Sequence, residues 1–137
     1  MRVIVCGGRN FEGVGQVFRA LDEFHEKDRI VALMHGGATG VDDFARRWAH
    51  ANGIRTWTRR ADWEKHGRAA GPIRNARMLE WLPDCVIAFP GGRGTADMVQ
   101  QARKAPQIFV TTVGSPTRLR YASGRDDQSN SSLNFPQ

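Results

Sequence analysis

Three glycine-rich segments each follow a short apolar run: Gly7-Gly8-Arg9, His35-Gly36-Gly37-Ala38-Thr39-Gly40 and Pro90-Gly91-Gly92-Arg93-Gly94-Thr95. Glycine lets a backbone approach a phosphate closely. A helix starting just after such a turn aims free N–H groups and the positive end of its dipole at that phosphate. The chemistry implied is capture of a phosphate-bearing ligand by backbone amides. One such segment is a weak sign, because glycines after strands often only make tight turns; three that converge on one edge are a stronger one. None is a Walker A motif or a strict G-x-G-x-x-G, which disfavours kinase-type triphosphate chemistry and nicotinamide oxidoreduction.

Side chains near these segments supply the rest of the candidate site. Arg74, in the first turn of a helix after Gly71-Pro72, is expected to bind phosphate, with Arg9 and Arg93 reaching the same ligand. Asn75 is a candidate base or ribose contact. Thr39 and Thr95 either donate to phosphate or cap helices. Asp42 and Asp43 lie at a helix start, where they serve as dipole partners or as ribose-binding or catalytic groups. Of the four histidines only His35 falls on the binding edge, and Trp63 could stack on a base. No His/Cys/Asp/Glu cluster has zinc spacing, so neither a metal nor a cofactor is expected.

The elements that must position these residues alternate along the chain. Arg2–Cys6, Ile30–Met34, Ile54–Thr58, Cys85–Phe89 and Gln107–Thr112 read as strands. Helical spacing spans Gly13–Glu26, the stretch from Val41 to Ala49, Ile73–Leu82 and Ala96–Lys104, with Asp42 or Thr39 available to cap the second. Asp62–Pro72 reads as a polar loop. Parallel strands need helical crossovers, and helices on both faces explain strands that are unbroken apolar runs. The expected architecture is a Rossmann-like α/β fold: an open, doubly wound parallel sheet of about five strands in a single domain, 1–113. Ligands bind such sheets beyond the carboxyl ends of the strands. Trp48, Trp57 and Trp81 are expected in the core or at a subunit contact. Residues 114–137 form a polar tail, expected to lie along the body or a neighbouring subunit through Leu119, Tyr121, Leu133 and Phe135.

Composition narrows the class further. The 137 residues are 40% hydrophobic and 25% charged, the balance of one globular domain. No apolar run reaches the roughly 18–20 residues of a membrane span, and the N-terminus reads as a strand rather than a leader, so a cytoplasmic protein is expected. Cys6 and Cys85 both sit in strand-like runs and are expected to be buried thiols. The net charge is +6, and all but three of the 20 cations (Lys27, Lys65, Lys104) are arginine. That points to an anionic partner without choosing between a nucleotide and a polymer.

Pro90-Gly91-Gly92-Arg93-Gly94-Thr95 resembles the P-G-G-x-G-T signature of the SMF/DprA–LOG (SLOG) superfamily, which includes the lonely-guy phosphoribohydrolases. Together with Gly7-Gly8-Arg9, Gly36 to Asp42 and Gly71-Pro72-Ile73-Arg74-Asn75, it is similar to the YspA-like branch, over Met1 to about Val113. The resemblance implies a Rossmann-like fold that binds a nucleotide or nucleotide-derived ligand. It also implies a site completed by a second subunit, hence a homodimer or tetramer through the helices near Ile73–Leu82 and Ala96–Lys104. Arg74 and Met78 stand at the phosphoribohydrolases' Arg/Met spacing. Their acid, in P-G-G-x-G-T-x-x-E, falls here on Met98, with Asp97 adjacent. Methionine can neither activate water nor support an oxocarbenium-like transition state.

Three functions follow as expectations. The first is a module that binds a nucleoside monophosphate or an ADP-ribose-like ligand. The second is an N-glycosidic hydrolase acting on such a ligand through Arg74 and Asp97. The third, less favoured, is a nucleic-acid-associated protein; no helix-turn-helix pattern or basic-aromatic array supports it.

Overall fold

The computed structural model describes residues 1–114. The expected positions of Leu119, Tyr121, Leu133 and Phe135 lie outside the described residues. Five strands form one sheet: β1 (Arg2–Cys6), β2 (Ala32–His35), β3 (Arg55–Thr58), β4 (Cys85–Ala88) and β5 (Phe109–Thr112). Their order is β3-β2-β1-β4-β5, and every pairing is parallel, with Ile4 opposite both Met34 and Val86. The chain therefore winds outward from β1 in one direction, returns to β4, and winds outward in the other.

Alternation along the central strands divides the core in two, because successive side chains point to opposite faces. Val3, Val5, Cys85 and Ile87 pack with α1 (Val14–Lys27) and α2 (Val41–Ala51), through Leu21, Phe24, Ala45 and Trp48. Ile4, Val86 and Met34 pack with α4 (Ala70–Leu79) and α5 (Arg93–Ala102), through Met78, Met98 and Ala102. Both faces are covered, which is why β1 and β4 carry no polar alternation. Among the described residues no helix is long and apolar enough to cross a membrane. Cys6 and Cys85 are free thiols.

Several local expectations are corrected. Residues expected to form a polar loop from Asp62 to Pro72 instead form helix α3 (Trp63–His66), a 3-10 turn (Gly67–Ala69) and the first turn of α4. The Asp62 carboxylate caps α3 by accepting from the Lys65 amide at 3.1 Å. Pro72 fits the first turn of α4, where a helix has no use for its missing N–H. That helix stops at Leu79 and Leu82 takes φ 56°, a left-handed conformation that ends the run before β4. Trp48 is in the core, its indole N–H donating to Asp22 at 2.8 Å. Trp57, by contrast, is exposed, on β3 at the edge of the sheet. Apolar residue types alone do not reveal which strand is outermost.

Candidate functional site

The strand order reverses between β1 and β4, and a cleft of about 590 Å³ opens beyond their carboxyl ends. Such a switch point is where open α/β sheets bind ligands, and the volume suits a small molecule. The turns around it are laced together by backbone bonds. The Gly8 amide donates to Pro90 O at 2.8 Å, the Val41 amide donates to Gly8 O at 3.2 Å, and the Thr39 hydroxyl donates to Arg9 O at 3.0 Å.

Of the predicted ligand-binding residues, Gly7, Gly8, Arg9, Gly36, Asp42, Arg74, Asn75 and the stretch Pro90 to Thr95 line this cleft. Arg93, Gly94 and Thr95 do so as the first turn of α5, not as loop residues. That turn contains no acidic residue, so the positive end of α5 faces the cleft uncompensated.

Other predicted residues do not line the cleft. The Gly37 carbonyl accepts from Arg60 Nη1 at 2.9 Å, on the far side of its loop. Thr39 is spent on Arg9 O. Gly40 is the N-cap of α2 at φ 74°, with no side-chain cap, so neither Thr39 nor Asp42 plays the capping role. Asp97 lies behind Asn75, its Oδ2 accepting from Asn75 Nδ2 at 3.0 Å and Gln101 Nε2 at 2.7 Å. It orients Asn75, which is itself buried, instead of facing a ligand. Trp63 is exposed away from the cleft.

Asp42 takes a part that spacing could not show. It is only 6% exposed, and its Oδ2 accepts from the amides of Gly36 at 3.2 Å and Ala38 at 3.1 Å, holding the second glycine segment in shape. Burial pushes its carboxyl pKa up against the opposing pull of the Ala38 amide and Arg74. Asp43, one residue on, pairs with Arg46 at 2.9 Å and Arg47 at 2.8 Å, and the Arg46 hydrogen bond holds its carboxyl below the usual range. It is a helix-surface group.

The resemblance singled out Met78 and Met98, but not the floor they belong to. Val5, Cys6, Met78 and Met98 line the cleft from below, with Asn10 and Phe11 on the wall. These are core-type residues in strand or helix spacing, and only the fold reveals that they lie beneath a cavity. Met98, at the family's acid position, is fully buried. Burial, with Asp42 nearby, pushes the Cys6 thiol up to about 12. Cys6 is therefore a protonated thiol in the floor.

His35 supports the site from behind. The ring is 2% exposed; its Nδ1 accepts from the Gly37 amide at 3.0 Å, while Nε2 lies 3.3 Å from the Thr58 hydroxyl. Acceptance at Nδ1 requires a neutral ring, and burial with Arg46 and Arg60 nearby pushes its pKa down. The unfolded chain then binds the proton more readily than the native one. Stability is expected to fall as pH drops through the ordinary value of 6.5 towards the depressed native value. Thermal melts from pH 7.5 to 5 check this: His35→Gln flattens the slope, and an unchanged slope refutes the assignment.

A doubly wound parallel sheet with a cleft at its switch point defines the class. Residues 1–66 match the family described as YspA, cpYpsA-related SLOG. Over 112 residues the chain is 39% identical to the Gene 61 protein of Mycobacterium phage D29, covering 76% of this chain and 90% of that protein. The chain belongs to the YspA, cpYpsA-related SLOG family. That membership supports a module that binds or processes a nucleotide-related ligand.

Proposed function

We propose that the chain binds a nucleoside 5′-monophosphate or an ADP-ribose-like ligand in the switch-point cleft, as a sensing or processing module. One observation carries the reading: turns from β1, β2 and β4, the N-terminus of α5 and the Arg74 guanidinium surround a single cavity with an apolar floor. Phosphate meets amides and a cation, while sugar and base lie against Phe11 over a floor backed by Met78 and Met98. The alternative is hydrolysis of the N-glycosidic bond. Asp42 is the acidic residue among those lining the cleft, which makes it, rather than Asp97, the carboxylate that would serve. Its carboxylate is already engaged by two amides, which favours binding over turnover.

Titration calorimetry with the four common 5′-monophosphates, followed by chromatography of the mixtures, tests this. Binding without release of free base is expected. Base release lost in Asp42→Asn selects the hydrolase, and no binding by any of the four, with no nucleotide carried through purification, overturns both. The reading includes self-association, for which Leu82, 58% exposed after α4, offers an apolar contact. Light scattering on the same sample measures it.

A further inference from the structure

A second recess of about 110 Å³ lies beside the cleft, between the end of β3 and the helices α3 and α4. It has the room of a few water molecules, at about 30 Å³ each. Arg59, Arg60, Lys65, His66 and Arg77 line it together with Arg74, which also lines the main cleft. Its small volume and its crowd of cations suit a compact anion rather than a base.

Cations outnumber carboxylates in this recess, five (Arg59, Arg60, Lys65, Arg74 and Arg77) to one. Its one acidic residue, Asp62, already accepts from the Lys65 amide as the cap of α3. The described ion pairs, Met1 with Asp28 and Asp43 with Arg46 and Arg47, include none of these cations. Two of them are held in place by backbone carbonyls. Arg60 donates to Gly37 O at 2.9 Å, and Arg74 donates to Gly36 O at 3.2 Å and Arg59 O at 3.3 Å. Cations fixed beside one another repel, and a multiply charged anion relieves that repulsion while accepting several charge-assisted hydrogen bonds.

We propose that this recess holds a second anionic group of the ligand in the cleft, so that the protein selects a nucleotide phosphorylated at two separate positions over the monophosphate. The inference rests on the reading above. Arg74, shared by both cavities, is the point across which such a ligand spans.

The test compares, by calorimetry, the tightest-binding 5′-monophosphate of the four with the 3′,5′-bisphosphate of the same nucleoside. The bisphosphate is expected to bind roughly tenfold to a hundredfold more tightly, the range of one or two charge-assisted contacts. Lys65→Gln with Arg77→Gln, two exposed residues outside the cleft, should remove that advantage and leave monophosphate affinity unchanged. Equal affinities, or an advantage that survives the double variant, overturn this inference alone. If none of the four monophosphates binds, the reading above fails and this inference fails with it. Tighter, steeply salt-dependent binding of a short 5′-phosphorylated oligonucleotide would assign the recess to a polymer instead.

Discussion

Arg74→Gln is expected to weaken nucleotide binding roughly tenfold to a hundredfold while the chain still folds. The guanidinium is fixed by its own surroundings: Nε donates to Asn75 Oδ1 at 2.9 Å, and Nη1 to Gly36 O and Arg59 O. Those bonds use Nε and Nη1, leaving Nη2 for a ligand, from a group that has little orientation left to lose on binding. Burial lowers its pKa, Asp42 opposes that, and a guanidinium remains charged at neutral pH regardless. Arg74→Lys keeps the charge but not the planar fork, so it should recover only part of the affinity. Calorimetry reads both variants, with melting temperature as the control for folding. Wild-type affinity in Arg74→Gln would remove Arg74 from the ligand site.

How much of this was legible in the residues depends on what each signal measures. Strand and helix order follow from apolar period, and the parallel sheet follows from that order, so the fold and the edge carrying Gly7, Gly36 and Gly91 could be read directly. The roles of individual side chains could not. Spacing places Asp97 beside the family's acid position, but the turn of α5 directs it to Asn75 and Gln101. Thr39 and Asp42 have the right types for caps, yet the start of α2 needs a positive φ that glycine supplies, so both side chains turn to neighbouring backbone. Met78 and Met98 look like core and are core; that the core also floors a cavity is a property of the switch point. Pro72 and Gly71 read as breakers because propensity ignores position, and a first helical turn tolerates both.

The glycines of the site separate into two kinds, and substitution tells them apart. Gly40 combines φ 74° and ψ −130° with backbone overlap: an added Cβ would collide with the carbonyl oxygen of Gly8 and the backbone of Arg9. The conformation costs an L-residue about 1–3 kcal/mol, and the forced separation of the two turns adds roughly as much again. Gly40→Ala is therefore expected to lower stability by roughly 3–5 kcal/mol and the melting temperature by about 15 °C or more. Gly94 is the opposite case. Nothing lies within 4 Å of a Cβ placed there, its φ is not positive, and it sits in the first turn of α5. Alanine at that position should hold or raise stability, by up to about 1 kcal/mol from helix propensity. The fold does not require glycine at 94, and on the proposed reading a methyl group on this cleft-lining residue would crowd a phosphate at the helix amides. Gly94→Ala should thus melt no lower than wild type yet bind the nucleotide less tightly. Undiminished binding in that variant would mean the amides of α5 do not meet the ligand.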